Sequence, residues 1–79
     1  MPLQPERWLS KRWQTDRRYY VVEVMQDLWG NWLVKRSWGG LRSRRGSNIT
    51  MPADNYDHAL ELLAAVEKRR KGRRYTPAP

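Results

Sequence analysis

The sequence predicts an α+β fold: a small antiparallel sheet of three or four strands with one C-terminal helix packed on it. Three observations carry this. Residues 18–27, Arg-Tyr-Tyr-Val-Val-Glu-Val-Met-Gln-Asp, have the β-branched and aromatic composition of a strand. Gly30-Asn31 lies between that run and a second strand-like run, Trp32 to Trp38, which marks a hairpin with a short loop. Residues 54 to about 70 carry apolar side chains at helical spacing. At 79 residues the chain has the length of one domain. It has room for one thin core and too little for a deep catalytic cleft.

The elements follow in order. In residues 1–16, Trp8 and Trp13 belong either to a short strand hairpinned through Thr15-Asp16 or to an arm across the open face of the sheet. Both read as packing residues. In the first confident strand Tyr20, Val22 and Val24 share one face, and Tyr19, Val21 and Met25, with Glu23, share the other. Two apolar faces mark a central strand covered at least in part on both sides. In the next strand Trp32, Val34, Arg36 and Trp38 alternate with Leu33, Lys35 and Ser37, and Trp32 and Val34 are read as core. Trp29 at the hairpin tip is read as covering its own strand, with insertion at an interface as the alternative. Gly39-Gly40 is expected to break the second strand and to let another backbone or a ligand come close. Leu41 to Gly46 is strand or loop, and Ser47 to Met51 is a third strand ended by Pro52.

Asp54 is the expected N-cap of the helix, with Asp57 adding negative charge in the first turn. Val66, Ala59, Leu63, Tyr56 and Leu60 fall within about 120° of one another, wide enough to cover a small sheet. Leu62 sits at the edge of that stripe and His58 opposite it. Lys68 to Lys71 complement the C-terminal dipole, and Gly72 is the expected C′ residue. The domain is thus assigned to residues 17–75, with 1–16 an arm or short strand and 76–79 a disordered tail.

Charge narrows the function. Sixteen Lys and Arg, twelve of them Arg, stand against eight acids, for a net charge of +8. They fall in three blocks: Arg7 to Arg18, Lys35 to Arg45, and Lys68 to Arg74. The second and third contain no acid. A solvated face explains one such block; three in so short a chain point to an anionic partner, nucleic acid first and acidic protein or anionic membrane second. A phosphate-binding surface wants cations spaced to meet phosphates and an aromatic face to stack on sugar or base. Arg serves best, because its planar fork binds two oxygens.

Other classes are disfavoured. With no Cys there is no disulfide, thiolate metal site or thiol catalysis. The longest apolar run, Leu62 to Val66, is far short of a membrane span of about 20 residues, and the N-terminal residues lack the apolar core of a signal peptide. A soluble cytoplasmic protein is expected. Its single His and its scattered Ser have no evident catalytic partner, and no metal-ligand spacing or phosphate loop is present. No enzyme activity, cofactor, metal, small-molecule substrate or membrane partner is expected.

Arg17-Arg18-Tyr19-Tyr20, then Asp27 through Trp38-Gly39-Gly40, resembles the WGR domain family. Its members run from a basic residue and an aromatic-Tyr pair through a strand, a Gly turn and a second strand to Trp-Gly-Arg. A Gly-bearing turn, a third strand and a helix follow, places filled here by Gly46, Ser47–Met51 and Asn55–Lys71. The match spans roughly residues 17–75. It implies a twisted antiparallel sheet under one helix. In the poly(ADP-ribose) polymerases such a domain binds DNA at strand breaks: the motif Trp packs on a terminal sugar and the motif Arg meets the backbone. In many bacteria the domain occurs as a short stand-alone chain, which this sequence resembles. Trp38 carries over. Gly40 stands where the family has Arg, so that contact does not, and Arg42, Arg44 or Arg45 is left to supply it.

The candidate nucleic-acid-binding residues are therefore Lys35, Arg36, Trp38, Gly39, Arg42, Arg44, Arg45, Arg70, Arg73 and Arg74. Two readings stand for Trp38, stacking platform or core residue, and two for the C-terminal block, phosphate stripe or helix end. The rival function is a protein-interaction module: an acidic protein partner, or a homodimer burying the face with Tyr19, Val21 and Met25.

Overall fold

The structure, a computed structural model, describes residues 3–42, 46–72 and 76–78. A 3-10 turn, Pro5–Arg7, leads into β1 (Leu9–Gln14), β2 (Arg18–Gln26), β3 (Trp32–Gly40), β4 (Gly46–Pro52), α1 (Tyr56–Gly72) and β5 (Thr76–Ala78). The strands form one antiparallel sheet in the order β4-β3-β2-β1-β5. The α+β class thus holds, and the strand alternative for residues 1–16 is the one adopted. The disordered tail expected at 76–79 is corrected: residues 76–78 pair with the outer edge of β1. The reason lies in the ladder. Thr15 N–H donates to Arg18 O, so the odd residues of β1 bond to β2 and the even ones face outward. Arg12 and Gln14 can then bond β5, while Pro77 falls opposite Trp13, at a site that needs no N–H.

Alternation sorts the side chains into two faces. Trp13, Tyr20, Val22, Val24, Trp32 and Val34 are buried on one face of the sheet. They meet Ala59, Leu63 and Val66 from α1, with Met51, Ala53, Tyr56 and Leu62 packed around them. Val22, Val24 and Val34 are sealed completely. The helix stripe is the expected one, shifted: Leu60 is only half-buried, and Arg70 is buried in its place. Among the described residues no helix covers the other face, which leaves Tyr19, Val21 and Met25 half-buried.

Local chemistry fixes the connections. Asp27 N–H donates to Asn31 O at 3.0 Å and Gly30 N–H to Asp27 O at 3.1 Å. Gly30 has φ 85°, the left-handed position that closes a three-residue hairpin loop. The Asp27 carboxylate accepts from Trp29 N–H, Asn31 N–H and the Asn31 side-chain amide. Desolvation alone would raise the Asp27 carboxyl, but these bonds, with the Gly30 N–H nearby, hold it below its ordinary value. Trp29 does not cover its strand. It sits in the capped turn and is 73% exposed. The N-cap is Asn55 rather than Asp54: Asn55 Oδ1 accepts His58 N–H at 2.8 Å, and Asp54 N–H donates to His58 Nδ1 at 2.9 Å. His58 is thereby half-buried at the helix start. Gly72 is the last helical residue, not the residue after it.

Gly39-Gly40 does not break the strand, which runs on through Gly40. Tyr19, Gly39 and Gly46 form one row on the open face. A Cβ on Gly46 would lie 2.9 Å from the Tyr19 hydroxyl. Gly46 makes room for Tyr19.

The N-terminal segment is held by Gln26, a buried polar side chain. Its Oε1 accepts from Gln4 N–H at 2.6 Å and from the Trp8 indole N–H at 3.1 Å, while its Nε2 donates to Gly30 O at 2.9 Å. Arg7 lies 3.9 Å from the Tyr56 ring centroid. Trp8 itself stays partly exposed at the surface.

Candidate nucleic-acid interface

A meander returns to the same end after every second strand. In the β2–β3 hairpin Gln26 pairs with Trp32, so Arg18 pairs with Gly40. The β1–β2 turn therefore meets Leu41 and Arg42, the residues that follow β3. Leu41 N–H donates to Arg17 O at 2.8 Å, joining them. Asp16, Arg17, Gly40 and Arg42 line a recess of about 720 Å³ there. The helix brings its C-terminus to the same end, since the Arg70 guanidinium lies 4.1 Å from the Tyr20 ring. The helix N-terminus lies at the other end, where Tyr56 packs on Trp32 at 4.8 Å. Arg17, Arg18 and Arg42 thus gather at one pole with Asp16 among them, and Asp27, Asp54 and Asp57 lie at the other with Arg7.

Asp16 lies among the cations of the basic pole but makes no ion pair with them among the described residues. Among the described residues, Lys11 pairs with Glu67 at 2.8 Å across β1 and α1. Arg17, Arg18, Arg42 and Arg69 have no carboxylate partner among those residues. Trp13, Tyr20 and Trp38 form a cross-strand row beside them. Trp38 stacks on Tyr20 with centroids 5.8 Å apart and planes 11° apart. It remains 36% exposed, so it is neither enclosed core nor a free-standing ring.

The nominated residues divide. Trp38 and Arg42 lie at the basic pole. Gly39 lies there too, on the open face. Lys35 and Arg36 are neighbours in sequence, so strand alternation sends them to opposite faces. Lys35 stands on the open face opposite Glu23 and Thr50, away from the pole. Arg36 is on the helix face. It lines a recess of about 280 Å³ with Met51, Leu62, Ala65, Val66 and Arg69, and its Nε is buried without a hydrogen-bond partner. Arg70 is corrected outright: it is 8% exposed. Its guanidinium is spent on the Tyr20 ring rather than offered to solvent. Arg44, Arg45, Arg73 and Arg74 lie outside the described residues.

Arg17 and Arg18, outside the expected set, share the pole with Trp38, and Arg69 lines the Arg36 recess. Counting outward from Trp29, the centre of the hairpin, pairs Arg18 with Gly40 from sequence alone. The position of Arg69 depends on how the helix crosses the sheet, which the sequence does not encode locally.

No family model, curated protein or solved structure matches the chain.

Proposed function

We propose that this chain is a WGR-like nucleic-acid-binding module, with DNA as the first candidate, acting mainly through backbone contacts. One observation carries the reading: two chain turns bring together guanidinium groups that have no carboxylate partner among the described residues, beside an accessible indole. Phosphate oxygens would meet Arg17, Arg18 and Arg42, and Trp38 would offer its open edge to a sugar or base. Arg70 holds Tyr20 beneath Trp38 and acts as a positioning residue. Gly40 carries no guanidinium, so intact and nicked duplexes should bind alike.

A titration of intact duplex, nicked duplex and single-stranded DNA at two salt concentrations tests this. Neutralising four to six phosphates gives a slope of log affinity against log salt of roughly −4 to −5. No binding at low salt overturns the reading. Binding to an acidic protein with no binding to DNA would favour the interaction-module alternative.

A further inference from the structure

We propose that two copies of this chain join edge to edge through β4, making a continuous antiparallel sheet across a two-fold axis at Ile49. The two edges of the sheet differ sharply. The β5 edge has three residues, including Pro77, which limits pairing. The β4 edge has seven, Gly-Ser-Asn-Ile-Thr-Met-Pro, with no charged residue among them and every one exposed except half-buried Met51. Edge strands are ordinarily defended by charge, bulges or early prolines. This one has only Pro52, at its last position.

The ladder shows which groups are free. Ala53 N–H donates to Trp32 O, so Ser47, Ile49 and Met51 bond to β3 by alternation. The N–H and C=O groups of Gly46, Asn48 and Thr50, and the C=O of Pro52, point to the open edge. This set is self-complementary. With Ile49 facing the partner's Ile49, Asn48 exchanges both bonds with the partner's Thr50, and Gly46 N–H donates to the partner's Pro52. Counted over both halves, that is about six backbone hydrogen bonds. The missing N–H of Pro52 falls at the margin of the seam.

Two further features favour a second copy over another occupant. Ile49 is 43% exposed on the helix face, and the axis places it against its own equivalent, where non-hydrogen-bonded pairs bring side chains closest. The charge distribution also fits. Gly46 lies at the basic pole and Pro52 runs into Asp54 and Asp57 at the other. An antiparallel seam therefore sets each basic pole beside the partner's acidic helix start, and the two like-charged poles point apart.

The absence of native Cys makes the register directly testable. Sedimentation of the full chain at tens to hundreds of micromolar should show twice the chain mass. Under mild oxidation Ile49→Cys should cross-link rapidly, since facing Cα atoms about 4.5 Å apart lie within disulfide reach. Ser47→Cys should not, because its own equivalent is four residues further along the seam. Thr50→Pro removes an outward N–H and should give a folded monomer by circular dichroism. If that variant does not fold, the cysteine pair decides alone. A chain that stays monomeric throughout overturns the proposal. So does Ser47→Cys cross-linking as fast as Ile49→Cys, or a Thr50→Pro variant that is folded and still dimeric.

Discussion

Trp38→Ala separates a stacking platform from a core residue, because the two roles give different pairs of numbers. Truncating a fully buried Trp costs about 3–5 kcal/mol. Trp38 is 36% exposed, so about two-thirds of that, roughly 2–3 kcal/mol, is expected in stability. This includes the stacked contact with Tyr20, a pair worth about 0.5–1.5 kcal/mol beyond its area. A domain of this length is stable by roughly 4–12 kcal/mol, so the variant stays folded. Loss of stacking on nucleic acid is worth about 1–3 kcal/mol, or roughly 5- to 150-fold in affinity. Urea unfolding and a DNA titration on the same sample measure both. A variant that is folded and binds DNA as tightly as the parent refutes the stacking role. One that is unfolded at room temperature refutes the energetic argument.

Two other outcomes follow from the far pole. Gln26→Leu removes three hydrogen bonds that tie Gln4, Trp8 and Gly30 together, and should destabilise the fold by about 2–4 kcal/mol in urea unfolding. A loss below 1 kcal/mol would show that water replaces them. The Asp27 carboxyl is held below its ordinary value, so its contribution is complete above that value and is lost as pH falls through the folded-state one. The stability advantage of the parent over Asp27→Asn at about pH 6 should therefore shrink towards about pH 2.5, and an advantage unchanged by acid would contradict the assignment.

Much of the fold was legible because the signals were local and agreed with one another. The run from Tyr19 to Met25, the Gly30 turn and the helix stripe each name one element. What was missed required neighbours. Arg70 lies at the charged end of the helix, and its burial follows only from the packing of that end on Tyr20. Gly39-Gly40 reads as a break until Tyr19 is placed across the row with Gly46. Strand β5 exists because β1 offers it an edge, and a three-residue segment with a proline carries no strand signal of its own. In the candidate site, Trp38 and Arg42 come from the aromatic-plus-arginine pattern, and both fall at the basic pole. Lys35 and Arg36 were grouped by sequence proximity where alternation separates them.

The central claim is that the joined turns at Arg17 and Arg42 form the phosphate-binding pole. The salt dependence of DNA affinity for Arg17→Gln/Arg42→Gln, set beside that of Lys35→Gln on the open face, tests it most directly. Removing two phosphate contacts should flatten the slope of log affinity against log salt by about 1.8, while Lys35→Gln leaves the slope nearly as it was. Equal slopes for the double variant and the parent would contradict the account.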